Sequence, residues 1–336
     1  MIFDKLSLNG FKSFKNQDIT LSQLTLLTGI NSSGKSSIVH ALRMLNQAYR
    51  HENPILPGYG DVDELKNRDS AWPITITGWH DSVPAISMHI SGLEDIISEL
   101  HPSALPELDL TYISASRFGP QNHIAIDTSD RIGELGENIL KSIDTHQDDI
   151  IPDILRHPDS EGETLLFNLR AWINAISPGT KFTHEIIKHA DTSYMEFNGF
   201  RSSNVGFGLS YTLPVIASLL VASVKKNQIV MIENPEAHLH PRAQTEMAQL
   251  ICMATEAGVQ TVVETHSDHL FDGVRIYARK HPGFANKTAI HWCEIGSYGN
   301  TKLESPRLLD NGKLESWPKG LFDPVSYTHL RAHETG

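Results

Sequence analysis

The 336 residues are 40% hydrophobic and 20% charged, a composition that supports a full globular core and excludes a disordered chain. A net charge of −12 excludes a surface that is basic all round, as a strong nonspecific DNA binder would carry, yet residues 1–50 hold six basic side chains against two acidic ones, a local +4 that leaves −16 for the remainder. Only Cys252 and Cys293 are thiols, no secretory signal opens the chain, and the longest apolar run, residues 212–224, is too short for a bilayer and contains Pro214; a cytoplasmic protein without a membrane partner is expected.

In chain order, residues 2–28 alternate as two or three strands, with Gly10-Phe11-Lys12-Ser13-Phe14 between the first two. Residues 24–28 read as a short buried strand, and Ile38, Ala41, Leu42 and Leu45 then recur at helical spacing. Two prolines and two glycines in residues 53–60 break the pattern and start a middle region. There, residues 72–79 and 85–90 show the period of two of antiparallel strands. A strand at 110–115 delivers Arg117, for which a phosphate contact and a surface salt bridge are both open. Residues 127–163 are acidic with helical tendency and read as a solvated insertion, and a helix around Trp172, Ile173 and Ile176 is expected to cap the middle region. No heptad pattern persists, which excludes a long coiled coil.

Residues 206–210 open the apolar helix. A buried strand at 228–232 ends in Glu233-Asn234-Pro235-Glu236; Met247, Leu250, Ile251 and Ala254 mark a helix that stops at Gly258; a strand at 260–263 hands over Glu264-Thr265-His266-Ser267. Strand, helix and strand in this order predict a parallel crossover, with the acidic and histidine ends on one edge of the sheet, where ligands bind. The fold class is therefore α/β with a mixed, largely parallel core sheet.

The chemistry centres on Gly29-Ile30-Asn31-Ser32-Ser33-Gly34-Lys35-Ser36, which fits the phosphate-binding pattern G-x-x-x-x-G-K-[ST] between a strand and a helix. Glycines let the backbone wrap closely around an anion, successive N–H groups and the helix start point at phosphate, and Lys35 adds a charge. Gly29, Asn31, Ser32, Ser33, Gly34, Lys35, Ser36 and Ser37 are the candidate nucleotide residues, with the Ser36 hydroxyl on Mg²⁺. Phe11 and the first strand are expected on the adenine side. Glu233, an acid ending a hydrophobic strand, is what a Mg²⁺ site opposite the loop needs. Ser210, after Gly206 and Gly208 at a helix start, presents a second anion-facing arrangement. His238, His240, His266 and His269 lack nearby cysteines and familiar ligand spacing, so zinc is not expected.

Four separated elements in this order resemble the ABC-type ATPase head shared by RecF, SMC proteins and the OLD-like nucleases. The likeness is closest to small bacterial AAA-like ATPases of the OLD and AbiEii type. It is carried by Asn204-Val-Gly-Phe-Gly-Leu-Ser210, Glu233-Asn-Pro-Glu-Ala-His-Leu-His-Pro241 and Glu264-Thr-His-Ser267, and runs from residue 2 to about 323. The resemblance implies a P-loop NTPase of ABC-head type, one head over residues 1–323, with a nucleotide-binding core in 1–50 and 200–300, an N-terminal antiparallel region, and a middle β and helical region at 53–199. It implies ATP and Mg²⁺ as ligands, Glu233 in the Walker B position, His266 as the sensor of the terminal phosphate, and Ser210 against the nucleotide of a second protomer in a homodimer. Asn234 stands where such heads carry a water-polarising glutamate, so either Glu236 supplies the base or hydrolysis is slow. The signature differs from the transporter's Leu-Ser-Gly-Gly-Gln, and the Toprim domain of OLD nucleases is not expected. The implied function is a nucleotide-gated dimer regulating an effector such as a nuclease, in phage defence. The alternative is a RecF-like ATP-dependent DNA clamp, supported by the basic first 50 residues. Residues 324–336 resemble a translated sequencing adapter and are set aside as non-native.

Overall fold

The computed structural model describes residues 1–92, 95–101 and 108–322, so the expectation for the 324–336 tail lies outside the described residues. A hairpin of β1 (Lys5–Phe11) and β2 (Phe14–Thr20) leads to β3 (Leu24–Gly29), which is buried along its whole length, as a strand covered on both faces must be. It feeds α1 (Lys35–Tyr49), whose buried side includes Ile38, Ala41, Leu42 and Leu45, the face read from their spacing. A single turn, α2 (Val62–Leu65), precedes β4 (Ile74–His80), β5 (Val83–Ile90) and β6 (Ile96–Leu100). Asp81 and Ser82, at φ 49° and 63°, join β4 to β5 in the two-residue turn whose twist matches that of the strands. Among the described residues these strands form one antiparallel sheet, β2-β1-β4-β5-β6. The N-terminal β region therefore takes more than half of its strands from the middle of the chain.

β7 (Asp109–Ile113) leaves that sheet for the parallel one. A smaller layer follows, with β8 (Ile124–Ala125), α3 (Ile139–His146), α4 (Leu165–Ile176), β9 (Phe182–Ile187), β10 (Thr192–Phe197) and β11 (Phe200–Arg201). The chain then alternates through α5 (Phe207–Ser223), β12 (Gln228–Glu233), α6 (Pro241–Glu256), β13 (Gln260–Glu264), α7 (Asp268–Lys280), β14 (Thr288–Ile295) and β15 (Thr301–Glu304). The core sheet has the order β15-β14-β3-β13-β12-β7 among the described residues, parallel except where β15 runs back along β14. Strand alternation divides its side chains: Leu27, Ile229, Met231 and Val262 pack toward α1 and the antiparallel sheet, while Leu26, Val230, Ile232 and Val263 pack toward α3 to α7. Gln260 ties the layers, accepting from the Ile2 and Phe3 amides at 2.8 and 3.1 Å and donating to the Phe3 and Ser22 carbonyls at 2.6 and 3.1 Å.

Two expectations are corrected here. Residues 127–163 are not a solvated insertion: Ile139, Leu140, Ile143, Ile151 and Leu155 lie in the core beside α5 and α6, while acidic side chains such as Asp148, Asp149, Asp153 and Glu161 face water. A high acidic content over the window hid apolar residues at helical spacing. Likewise α4 packs against α5 and α6 and belongs to the main helical layer, with Trp172 fully buried and its indole N–H donating to Leu155 O at 3.0 Å.

Candidate nucleotide site

The loop between β3 and α1 is tight because nothing but hydrogen fits at its glycines. A Cβ at Gly29 (φ 143°) would stand 2.1 Å from Cys293 O, and one at Gly34 (φ 104°) 2.3 Å from Thr301 Oγ1. Thr301 braces the loop: its hydroxyl lies 2.8 Å from Ser33 O and 2.7 Å from Ser13 Oγ, and its amide donates to Ser13 O. Neither bracing residue was legible from the phosphate-loop pattern. Because α1 has no side-chain cap and no acidic residue in its first turn, its first amides and its dipole are left for an anion. Residues 31–37 line a cleft of about 350 Å³ with Lys12, Ser13, Glu264 and His266. Asn31 and Ser32 are exposed there, whereas Ser33 Oγ is buried without a hydrogen-bond partner among the described residues.

Lys35 is only 3% exposed, and its ammonium donates to Gly29 O at 3.0 Å and Ile30 O at 2.7 Å. Burial lowers its pKa, against the attraction of Glu264, whose Oε1 lies 3.9 Å away. The Ser36 hydroxyl donates to Glu264 Oε2 at 3.1 Å. Glu264 is the site residue the sequence reading missed. Burial first, and then the charge of Glu233, push its carboxyl up to about 7, while Lys35 and the Ser36 hydroxyl pull the other way. The signal was present in the paired strand ends: β12 and β13 both finish in glutamate, and parallel register sets Glu233 beside Glu264, with Leu27 of β3 on the far side.

Glu233 Oε2 accepts from the Ala115 amide at 3.3 Å, and no hydrogen bond among the described residues joins it to Ser36. Glu236 Oε1 accepts from the His266 amide at 2.9 Å; its Oε2 is buried and unpartnered among the described residues, and burial raises its pKa. His266 is exposed, with Nε2 4.0 Å from Glu264 Oε1, and burial of its partly covered ring and the charge of Lys35 lower its pKa. Asn234 adopts φ 46°, a left-handed conformation that asparagine tolerates better than glutamate, and its amide donates to Glu264 O at 2.8 Å.

Neither reading of Arg117 survives. The side chain is 1% exposed and faces backbone oxygens: Nε donates to Tyr211 O at 2.7 Å, Nη1 to Ser114 O at 3.0 Å and Glu233 O at 2.9 Å, and Nη2 to Asn234 O at 2.8 Å. It can reach no phosphate and makes no surface ion pair. Burial lowers its pKa to about 10, with Glu236, Tyr211 and Glu233 opposing. Phe11 is likewise fully buried, edge-on to His40, and offers no face to an adenine. Ser210 is 3% exposed with an unpartnered Oγ among the described residues; Gly206, earlier in that stretch, is exposed, and a Cβ there would meet nothing within 4 Å. The structure thus gathers residues 31–37, Glu264 and His266 around one cleft, with Glu233 and Glu236 on the neighbouring strand end and turn. Arg117 links Ser210's helix to that turn.

Residues 1–151 match the family model of an AAA ATPase domain, and residues 107–272 that of an AAA domain described as a putative AbiEii toxin of a type IV toxin–antitoxin system. No curated protein matches the sequence. Among solved structures, an SMC head bound to the C-winged helix domain of ScpA is similar with a TM-score of 0.58 at 16% identity, over 92% of this chain and 98% of the other. An Smc head domain with an extended coiled coil, bound to the C-terminal domain of ScpA and derived from Pyrococcus furiosus, gives 0.56 at 14% identity, over 99% and 100%. At these identities the likeness is one of fold, that of a P-loop ABC-type head. The two ATPase-domain matches overlap in residues 107–151 and together span 1–272, and with the shared head fold they support an AAA/ABC-like ATPase.

Proposed function

We propose that this nucleotide-binding head hydrolyses ATP with Mg²⁺ and closes as a two-fold dimer that controls a partner effector, in the manner of the OLD- and AbiEii-like ATPases it resembles. The observation that carries the reading is Ser36 and Lys35 facing Glu264 at the carboxyl ends of adjacent parallel strands, with Glu233 one strand further on. A hydroxyl and hard carboxylate oxygens are donors that Mg²⁺ accepts, so Ser36 with Glu233 or Glu264 would hold it. When bound, Mg²⁺ supplies neutralisation of charge on the phosphates. Lys35 would exchange loop carbonyls for phosphate oxygens, His266 would read the terminal phosphate from the cleft rim, and Glu236 would accept the proton of the attacking water.

The second side of the site is proposed to come from the start of α5 in a symmetry mate. Since Ser210 points inward, backbone amides near Gly206 are the groups offered to it. A DNA clamp draws less support. Of the basic residues behind the local +4, Lys35 is buried, and Lys5, Arg43 and Arg50 are paired with Asp18, Glu134 and Asp109. Regulation of an effector such as a nuclease, in phage defence, is part of the proposal by resemblance to the OLD-like ATPases and is tested by copurification of a second protein. The chemistry is tested by Lys35→Ala at saturating Mg²⁺: turnover should vanish while the fold persists, and an unchanged rate would place nucleotide chemistry elsewhere.

A further inference from the structure

Arg117 is a buried cation for which the proposed chemistry has no direct use. Its guanidinium spends its hydrogen bonds on backbone oxygens from three segments: its own loop at Ser114, the turn after β12 at Glu233 and Asn234, and the second turn of α5 at Tyr211. A planar fork with fixed donor directions holds those segments in one relative position, which a flexible ammonium could not do. The α5 side of this joint is weakly held by its own helix. Pro214 lacks the N–H that would reach the Ser210 carbonyl, so the helix ladder is interrupted between its entry and its body. The entry instead lies close to the turn, since a Cβ at Gly208 would stand 3.1 Å from His238 O. Three polar atoms on the joined segments, Ser210 Oγ, Asn234 Oδ1 and Glu236 Oε2, are buried without hydrogen-bond partners among the described residues.

We infer that Arg117 is a positioning residue that makes the entry of α5 and the Glu233–Glu236 turn move as one unit, so that docking at the helix entry sets the geometry of the hydrolytic turn. The inference deepens the proposed function and rests on it for its biological meaning, but its mechanical part stands apart from any ATP chemistry. No bond is made or broken; a displacement of α5 is carried to Asn234 and Glu236 through the fork.

The test uses the full chain, Arg117→Lys and Arg117→Met, and amide hydrogen exchange without nucleotide. In the wild type, the amides of Thr212 and Leu213 in α5 and those of Ala237 and Leu239, which donate to Asn234 O and Glu236 O, should share one opening free energy. In Arg117→Lys the two groups should separate, with the turn exchanging at least about tenfold faster, the factor expected for losing a charged hydrogen bond. Strands β12 and β13 should keep their protection. Affinity for a fluorescent non-hydrolysable ATP analogue should stay within about threefold, while turnover falls by at least about tenfold, a split that a general loss of fold does not produce. Lysine should rescue little over methionine, since geometry and not charge is at issue. The inference is overturned if the two groups already open separately in the wild type, or still open together in Arg117→Lys. It also fails if protection is lost uniformly along with analogue binding. If the wild type hydrolyses no ATP, the exchange result still decides the role of Arg117, and the missing turnover counts against the ATPase reading alone.

Discussion

Glu264→Gln is the perturbation that most directly tests the electrostatics of the cleft. Glu264 is 7% exposed, between Lys35 and Ser36 on one side and the carboxylates of Glu233 and Glu236 on the other, and its carboxyl is pushed up to about 7. A folded pKa above the unfolded value means that the fold favours the protonated form. Its contribution is fully present below the unfolded pKa of 4.5 and is lost as pH rises to about 7. A shift of that size corresponds to about 3 kcal/mol. The substituted amide would copy the neutral carboxyl, still accept from the Ser36 hydroxyl, and never ionise. The variant should therefore match the wild type near pH 4.5 and exceed it at pH 8 by up to about 3 kcal/mol, less whatever the 3.9 Å attraction to Lys35 contributes. Urea unfolding of both chains at half-unit steps from pH 4.5 to 8.5, with a chelator present and no nucleotide, gives the difference curve directly. Titrating groups that do not interact with Glu264 cancel in that difference. Parallel curves across the range, or a variant less stable at pH 8, would show that Glu264 is ionised beside Lys35 and that the argument from burial is wrong.

Further outcomes follow from the same geometry. Glu236→Gln can keep the 2.9 Å bond from the His266 amide, so it should bind Mg-ATP normally yet turn over roughly 10² to 10⁴-fold more slowly, the range of a lost general base; normal turnover would make Glu236 structural. Gly206→Arg should leave the monomer intact, since φ −61° suits any residue and nothing lies within 4 Å, yet disable the nucleotide site that this point completes across a dimer. Mixed with Lys35→Ala it should restore turnover to about a quarter of wild-type sites by random pairing, and ATP-dependent sedimentation should show the dimer; if ATP induces none with the wild type, the shared site is wrong. Gln260→Leu strands the Ile2 and Phe3 amides and the Phe3 and Ser22 carbonyls, and should cost about 2–4 kcal/mol in urea unfolding; a change below about 0.5 kcal/mol would mean that water replaces those bonds.

Local pattern was enough for much of this protein. The phosphate loop, its flanking strand and helix, the crossover from β12 through α6 to β13 and the α/β class all follow from spacing, because a buried strand and an amphipathic helix write their periods into consecutive residues. What local pattern could not carry was which residues meet across the fold. Parallel register places Glu264 beside Glu233 and against Ser36, a fact of strand order and not of either strand's composition. Arg117 read as a surface or phosphate-binding cation because its partners are carbonyls more than 90 residues away at Tyr211, Glu233 and Asn234, and backbone oxygens have no sequence signature. Residues 127–163 read as solvated because charge averaged over a window outweighs the few apolar residues that decide burial. The sequence by itself determined the loop, the elements and their order, since those depend on neighbours in the chain. Tertiary structure alone decided which acid faces Ser36, where Arg117 is spent and that Ser210 is buried, since each depends on a low-dielectric contact between segments that the chain keeps far apart.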